Sequence, residues 1–182
     1  MSNTVKVHDR NFQVLIEKND LFRQIKKLGK EISTYYGKKG EVPMVISVLH
    51  GAVIYASDLV RAIDIPIEMD FVRLKSYSGM SSTGKVLMTQ HWEKEVSGRE
   101  VLIVEDIIDS GASISFLKQE LLKAGASNVK ISTLLFKPDA FEFDYKIDWV
   151  GFSISNKFVL GFGLDYDGLG RNLPEIYQLC SE

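Results

Sequence analysis

Three carboxylates stand close together in the middle of the chain, directly after a short run of apolar residues. Glu105, Asp106 and Asp109 follow Val101-Leu102-Ile103-Val104, a run that predicts a buried strand. In open α/β sheets, ligands bind just outside the carboxyl ends of the strands. Carboxylates at such an end can hold sugar hydroxyls or a magnesium ion, because both suit hard oxygen partners. The acidic residues therefore predict a polar ligand site at this strand end.

A predicted helix start follows these acids at Ser110-Gly111-Ala112-Ser113. Gly111 permits close backbone approach, and the free N–H groups and dipole of a helix start favour an anion. The hydroxyls of Ser110 and Ser113 add further donors. An acidic pair joined to an anion-binding helix start describes a site for a ribose 5-phosphate. Taken alone, Asp109-Ser110-Gly111 favours an ordinary capped helix start, since Asp and Ser are common at that position. The preceding strand and acidic pair reverse that preference.

The surrounding periodicity predicts the elements that must position these groups. Strands alternate with helices through the middle of the chain, which favours an α/β fold with a mainly parallel twisted sheet flanked by helices. We expect one domain over residues 1–182, with a small cap (hood) formed by the two chain ends. Three helices are predicted: one capped at Asn19-Asp20 and ending at Gly37, one over 52–63 with Ile54, Leu59 and Ile63 facing inward, and one after Gly111 with Ile114, Leu117 and Leu121 facing inward. Strands are predicted at 42–49, 65–74, 101–104 and 129–136, with a loop at 75–84. Two late strands, at 149–154 and 158–164, could pair with each other.

Composition excludes several classes of protein. The 182 residues carry a formal net charge of -2, with 22 Lys and Arg against 24 Asp and Glu, so the basic surplus of a nucleic-acid binder is missing. The single cysteine, Cys180, excludes an intrachain disulfide. No run approaches the ~20 apolar residues that span a bilayer, and the first residues do not resemble a signal peptide. We therefore expect a cytoplasmic protein with neither nucleic acid nor membrane as a partner.

The run Val-Leu-Ile-Val-Glu-Asp-Ile-Ile-Asp-Ser-Gly-Ala-Ser, residues 101–113, resembles the phosphoribosyl pyrophosphate motif of type I phosphoribosyltransferases. Its Glu-Asp-Ile-Ile-Asp-Ser-Gly form is closest to the hypoxanthine phosphoribosyltransferases. The resemblance implies that Glu105 and Asp106 bind the ribose hydroxyls, and that Ser110, Gly111, Ala112 and Ser113 bind the 5-phosphate. It also implies that Asp109 is the base that accepts the proton from purine N7.

Other segments resemble the same family in the same order. Leu135-Phe136-Lys137 resembles the strand whose lysine meets the purine 6-oxo group, and residues 157–166 resemble the base-binding segment. By this resemblance Phe158 stacks on the purine, Val159 offers backbone groups to it, and Asp165 binds magnesium together with Glu105 and Asp106. The remaining implied contacts are Arg171 and the Gly51 loop with pyrophosphate, and Ser76-Tyr77 at the tip of a closing loop.

Two positions depart from the family pattern. His50 stands where the pyrophosphate loop often has a lysine or arginine, so the backbone at Gly51 and Ala52 would bind with less help from a side chain. Ala112 stands where some relatives have a lysine, which makes phosphate binding depend more on N–H groups.

The resemblance implies a Mg²⁺-dependent purine salvage enzyme that forms a homodimer or homotetramer. It would transfer the phosphoribosyl group of phosphoribosyl pyrophosphate to N9 of a 6-oxopurine, hypoxanthine and guanine, giving IMP or GMP and pyrophosphate. One alternative is a nucleotide-sensing regulatory protein of the same fold, because one fold can host both functions. Another is an enzyme for adenine or xanthine. Asp109, Lys137 and Asp165 together favour catalysis, and the lysine disfavours adenine, whose 6-amino group is itself a donor.

Overall fold

The computed structural model describes residues 4–76 and 86–180. Most of the loop expected at 75–84, including Tyr77, lies outside the described residues. In chain order the elements are β1 (Thr4–Val7), β2 (Arg10–Ile16), α1 (Lys18–Lys39), β3 (Met44–Leu49), α2 (Val53–Ala62), β4 (Glu68–Ser76), β5 (Val86–Gln90), β6 (Glu100–Ile108), α3 (Ala112–Lys123), β7 (Asn128–Phe136), a 3₁₀ turn (Pro138–Ala140), β8 (Trp149–Ser153), β9 (Val159–Leu160) and β10 (Ile176–Leu179).

A six-stranded sheet in the order β5-β4-β3-β6-β7-β8 forms the centre of the molecule. Its strands are parallel except for β5, which pairs antiparallel with β4. The central strands β3 and β6 are almost entirely buried, which explains their continuous apolar runs. Residues of α1 and α2 pack on one face and those of α3 on the other. The expected α/β fold with a mainly parallel, helix-flanked sheet is confirmed.

The chain ends form a second, four-stranded antiparallel sheet in the order β1-β2-β10-β9, which we call the hood. This confirms the cap expected from the two ends. The predicted pairing of 149–154 with 158–164 is wrong, because β8 pairs with β7 in the large sheet and β9 pairs with β10 in the hood. The second of these strands is also short, since Gly161 (φ 95°) and Gly163 (φ 106°) take a left-handed backbone that ends it after two residues.

The two helices on one face differ from their predicted bounds and orientation. The helix α1 begins earlier than Asn19-Asp20 and runs past Gly37, ending where Gly40 adopts a left-handed conformation (φ 68°). In α2, Ile54 is 38% exposed, and Tyr55 faces the core instead. None of the helices among the described residues is long and apolar enough to cross a membrane.

The strands differ from prediction at two further places. The strand β6 continues through Glu105 and Asp106 to Ile108 instead of ending at residue 104. The sequence did not predict β5, which forms the antiparallel edge of the large sheet.

Candidate active site

A cleft opens at the carboxyl ends of the parallel strands, between β3 and β6, where the order in which strands are added to the sheet reverses. The strand after β3 is added on one side and the strand after β6 on the other, so this is the switch point at which α/β sheets bind ligands. Two adjoining cavities of about 450 and 510 Å³ share Gly51, Leu74, Asp106, Ile107 and Asp109. The first is also lined by Glu105, Ser110, Gly111, Ala112 and Ser113, and the second by Lys137, Phe158, Val159, Asp165 and Arg171.

Every predicted site residue whose side chain is described therefore lines one continuous cleft. The exceptions are Ser76, which ends β4 and whose side chain is not described, and Tyr77, which lies outside the described residues. His50 is exposed and, among the described residues, is not one of those that line the cleft; its neighbour Gly51 lines both halves.

The acidic pair is buried at the floor of the cleft. Glu105 and Asp106 are each 7% exposed. Burial raises the pKa of Glu105 well above its ordinary value, and the neighbouring Asp106 carboxylate raises it further. Burial also raises the pKa of Asp106, although the Ile107 N–H donates to its Oδ1 at 2.9 Å. Two adjacent carboxyl groups with raised pKa values favour retaining a proton until a hydroxyl donor or a cation binds.

The turn after β3 packs directly on this pair. A side chain at Gly51 would overlap the Asp106 carboxylate, and a side chain at Gly163 would overlap the Gly51 carbonyl oxygen. The peptide between Leu49 and His50 is cis. The Asp106 carboxylate and the backbone at Gly163 thus lie so close to the turn that glycine is the residue these contacts permit.

The start of α3 forms the anion-binding side of the cleft. Gly111 adopts a left-handed conformation (φ 90°), and the first turn of the helix has neither a side-chain cap nor an acidic residue. Its first N–H groups therefore lack carbonyl partners within the helix, and no acidic side chain within the first turn of the helix offsets the dipole. The only described contact of these N–H groups is a long one, 3.4 Å from the Ala112 nitrogen to the Ser110 hydroxyl. This end suits a phosphate.

An ion pair joins the next part of the cleft. Lys137 Nζ lies 2.9 Å from Asp109 Oδ2, although the two residues are 28 positions apart. The Lys137 N–H also donates to the Ile108 carbonyl at 3.0 Å, so the end of β7 is tied to the end of β6. The lysine side chain is 10% exposed and the aspartate side chain 56% exposed. A buried cationic donor thus lies beside an accessible acceptor.

The hood supplies an aromatic wall. Phe158 is 44% exposed and lines the second cavity. Its ring packs edge to face on Tyr166, with centroids 5.6 Å apart, and lies 6.3 Å from the ring of Phe12. The neighbouring Val159 is held in β9 opposite Gln178. The Phe158 ring therefore packs against two aromatic neighbours while part of it stays exposed at the cleft.

Asp165 is engaged by two groups of its own chain. Arg171 Nη2 lies 2.7 Å from its Oδ1, and the Gly168 N–H donates to its Oδ2 at 2.7 Å. The guanidinium also donates to the Gly163 carbonyl at 2.7 Å. Asp165 follows β9 by five residues and lies in a polar turn, not at the end of a long strand as predicted.

The donor set fits Mg²⁺ only as an ion shared with substrate. Among residues 4–76 and 86–180, no group of three or more Asp, Glu, His or Cys side chains is arranged to hold a metal. Magnesium commonly takes one or two protein carboxylates and completes its shell with phosphate oxygens and water. Asp106 and Asp165 line the same half of the cleft and could supply such ligands. The residues present therefore fit a substrate-borne ion.

Sequence reasoning did not assign several residues that lie in or beside the cleft, among them Leu74, Ile107 and Tyr145. Leu74 and Ile107 line both halves of the cleft, but their apolar character within strands signalled only core. Tyr145 donates its hydroxyl to the Gly111 carbonyl at 2.8 Å from a segment 34 residues away. No local spacing could have found that contact.

The comparisons with known proteins agree with this geometry. The family model described as "Phosphoribosyl transferase domain" matches residues 15–167. The chain is 41% identical over 171 residues to the hypoxanthine-guanine phosphoribosyltransferase of Lactococcus lactis, covering 93% of this chain and 92% of that protein. It is also 41% identical over 177 residues to the bifunctional protein TilS/HprT of Listeria monocytogenes, covering 97% of this chain but only 27% of that longer relative.

Solved structures resemble most of the chain. The crystal structure of a hypoxanthine-guanine phosphoribosyltransferase from Bacillus anthracis, with HEPES in its active site, matches with a TM-score of 0.87 at 34% identity. The match covers 96% of this chain and 100% of that one. On the family match, the identity over nearly the full chain and the shared fold, this protein belongs to the hypoxanthine-guanine group of the type I phosphoribosyltransferase family.

Proposed function

We propose that this protein is a purine salvage enzyme that joins a 6-oxopurine to the phosphoribosyl group of phosphoribosyl pyrophosphate. The observation that carries the proposal is the Lys137–Asp109 pair, which lies in one cleft with the anion-binding start of α3 and the buried acids. Hypoxanthine and guanine are the proposed bases, and IMP or GMP and pyrophosphate the products.

The pair matches the edge of a 6-oxopurine. Lys137 donates to the 6-oxo oxygen, and Asp109 accepts the proton on N7, so each group meets its complement. The Phe158 ring stacks on the purine from the hood, and the backbone at Val159 faces the base. Adenine would present a 6-amino donor to the lysine, itself a donor only. The site should therefore discriminate strongly against adenine, because the buried lysine donor would stay without an acceptor.

The other half of the cleft binds the sugar phosphate. The N–H groups and hydroxyls of residues 110–113 hold the 5-phosphate, and Glu105 and Asp106 accept hydrogen bonds from the ribose hydroxyls. The turn at Gly51 and the Arg171 guanidinium, which line the same cavity, are the groups proposed to bind the pyrophosphate. Backbone amides at the turn replace the basic side chain that His50 does not supply.

The reaction is a displacement at ribose C1. The bond from C1 to N9 forms as the bond from C1 to the pyrophosphate oxygen breaks, and Asp109 takes the N7 proton. General base assistance of this kind contributes about 10²- to 10⁴-fold. Magnesium bound with the substrate supplies charge neutralisation for the leaving pyrophosphate. Asp165 and the acidic pair are the residues that would share the ion.

The test is turnover of each free base by the purified protein with phosphoribosyl pyrophosphate and magnesium. We expect product with hypoxanthine and guanine and little with adenine; a rate with adenine equal to that with hypoxanthine would refute the assignment of the base site. The same panel determines whether xanthine is accepted. A protein that binds phosphoribosyl pyrophosphate but turns over no base would favour the regulatory alternative.

The variant Lys137→Gln gives a sharper test of the base site. It should lower kcat/KM for hypoxanthine by about 10- to 100-fold, because hydrogen bonds to charged groups are worth about 1.5–3 kcal/mol. The matched control is Lys130→Gln, at the other end of β7, where Lys130 Nζ lies 2.8 Å from Asp148 Oδ1. That variant also loses an aspartate pair, yet it should keep the base selectivity of the unaltered protein.

Assembly and location stay predictions. The family resemblance implies a homodimer or homotetramer in the cytoplasm, and sedimentation of the purified protein would determine the oligomeric state.

A further inference from the structure

The segment of residues 141–145, which follows the 3₁₀ turn after β7, holds two carbonyl groups of the phosphate-binding helix start. The Glu142 N–H donates to the Ser110 carbonyl at 3.1 Å. The Tyr145 hydroxyl donates to the Gly111 carbonyl at 2.8 Å, and the same carbonyl accepts the Ser115 N–H at 2.9 Å. We call residues 141–145 the carbonyl clamp.

The direction of these carbonyls decides where the neighbouring N–H groups point. In a planar trans peptide the C=O of one residue and the N–H of the next point in opposite directions. Holding the carbonyls of Ser110 and Gly111 toward the clamp therefore turns the N–H groups of Gly111 and Ala112 away from it. Both of these residues line the cleft. An anion needs N–H groups without carbonyl oxygens facing it, and the clamp provides that arrangement.

Side-chain packing closes the same face of the loop. A Cβ on Gly111 would lie 2.5 Å and 2.9 Å from two ring atoms of Phe141 and 2.9 Å from the Tyr145 hydroxyl oxygen. The Phe141 ring packs edge to face on Tyr145 at 5.0 Å and on Phe136, in β7, at 5.3 Å. The clamp is thus anchored to the large sheet, and the peptide at Gly111 has little room to rotate toward it.

The Tyr145 hydroxyl is maintained as a donor. Burial raises the pKa of Tyr145, and the Glu105 carboxylate raises it further. The phenol therefore stays protonated in the neutral range, where it can donate to the Gly111 carbonyl.

We propose that Tyr145 is a positioning residue that, with Phe141, keeps the helix start in its anion-binding form before the 5-phosphate arrives. This inference rests on the proposed function and goes beyond it, since Tyr145 is not among the residues that line the cleft. If only a fraction of the molecules hold the loop in its anion-binding form, the apparent dissociation constant is the intrinsic one divided by that fraction. Releasing the clamp should therefore weaken phosphate binding specifically.

The test compares Tyr145→Phe with the unaltered protein in calorimetric titrations with inosine 5′-monophosphate and with inosine. The dissociation constant for inosine divided by that for inosine 5′-monophosphate measures the contribution of the 5-phosphate to affinity. We expect the ratio to fall by about 3- to 10-fold, since one hydrogen bond contributes about 0.5–1.5 kcal/mol net. The affinity for inosine should stay the same, the KM for phosphoribosyl pyrophosphate should rise, and kcat should change little.

The control is Tyr55→Phe, which removes a buried phenol hydroxyl that pairs with Ser132 at 2.7 Å away from the cleft. It should lower stability toward urea without altering the ratio. A ratio in Tyr145→Phe equal to that of the unaltered protein would overturn the clamp. An unaltered protein that gains nothing from the 5-phosphate would overturn the proposed function itself, and with it the clamp.

Discussion

The buried acidic pair should make the protein less stable as the solution becomes more alkaline. Glu105 has a raised pKa because it is buried and because Asp106 lies beside it. Such a group retains its proton in the folded protein at a pH where the unfolded chain, with an ordinary value near 4.5, has lost it. The contribution of protonated Glu105 to the free energy of unfolding is fully present below the pKa of Glu105 in the unfolded chain. It is lost as the pH rises through the pKa of Glu105 in the folded protein.

The magnitude follows from one retained proton. The free energy of unfolding changes with pH by 2.303RT times the difference in bound protons, about 1.4 kcal/mol per pH unit for a single proton. The folded state of the unaltered protein binds the extra proton, so its stability falls with rising pH. Glu105→Gln has no proton to retain and keeps a polar amide beside Asp106. It should therefore be the more stable protein at neutral pH.

The assay is urea-induced unfolding of both proteins between pH 4.5 and 8, with a chelator present so that no cation replaces the proton. The stability of the unaltered protein minus that of Glu105→Gln should decrease with a slope approaching 1.4 kcal/mol per pH unit, and become constant above the folded pKa. A difference that is flat over the whole range, or that increases with pH, would refute the reasoning.

Asp70 provides a control of opposite sign. Its burial would raise its pKa, but N–H groups of Glu93, Phe71 and Lys94 donate to its carboxylate and together lower it. Its contribution to stability is present above the unfolded value near 3.8 and is lost only as pH falls through the folded pKa. The stability difference between the unaltered protein and Asp70→Asn should therefore be constant from pH 4.5 to 8.

Three further predictions concern the chemistry of the cleft. Asp109→Asn should lower kcat by up to about 10²-fold with little change in the KM for phosphoribosyl pyrophosphate, and an unchanged kcat with lost binding would place the base elsewhere. Asp165→Asn should raise the magnesium concentration needed for half-maximal rate; an unshifted titration would mean that substrate and the other acids hold the ion. Gly51→Ala should weaken pyrophosphate binding in calorimetry, because its methyl group overlaps the Asp106 carboxylate, whereas Gly37→Ala, with only an ordinary contact at 3.9 Å, should not.

Much of the large sheet could be predicted from local sequence. The strands β3 and β6 contain apolar runs and β7 ends in one, because both faces of the sheet are covered, and α3 shows its buried face at Ile114, Leu117 and Leu121. Such patterns depend only on neighbours in the chain and on burial. The start of α3 was visible for the same reason, whereas β6 runs on to Ile108, past the predicted end of the strand.

The pairing of the strands was harder to predict from the sequence. The strands β8 and β9 follow each other in the sequence but belong to different sheets. In β5, Val86 is the one buried residue, so this strand shows no alternating apolar pattern. Short strands carry little pattern of their own, and their pairing depends on which edge of a sheet remains open.

The sequence by itself determined the family motif, the residue types of the site and the strand, β6, that carries the acidic pair. Tertiary structure alone decided which of these groups touch: Lys137 pairs with Asp109, Arg171 engages Asp165, and Tyr145 holds the Gly111 carbonyl. The physical reason is distance along the chain. Turns and periodicity encode contacts between residues a few positions apart, but a hydrogen bond between segments 28 or 34 residues apart forms only after the strands between them have packed.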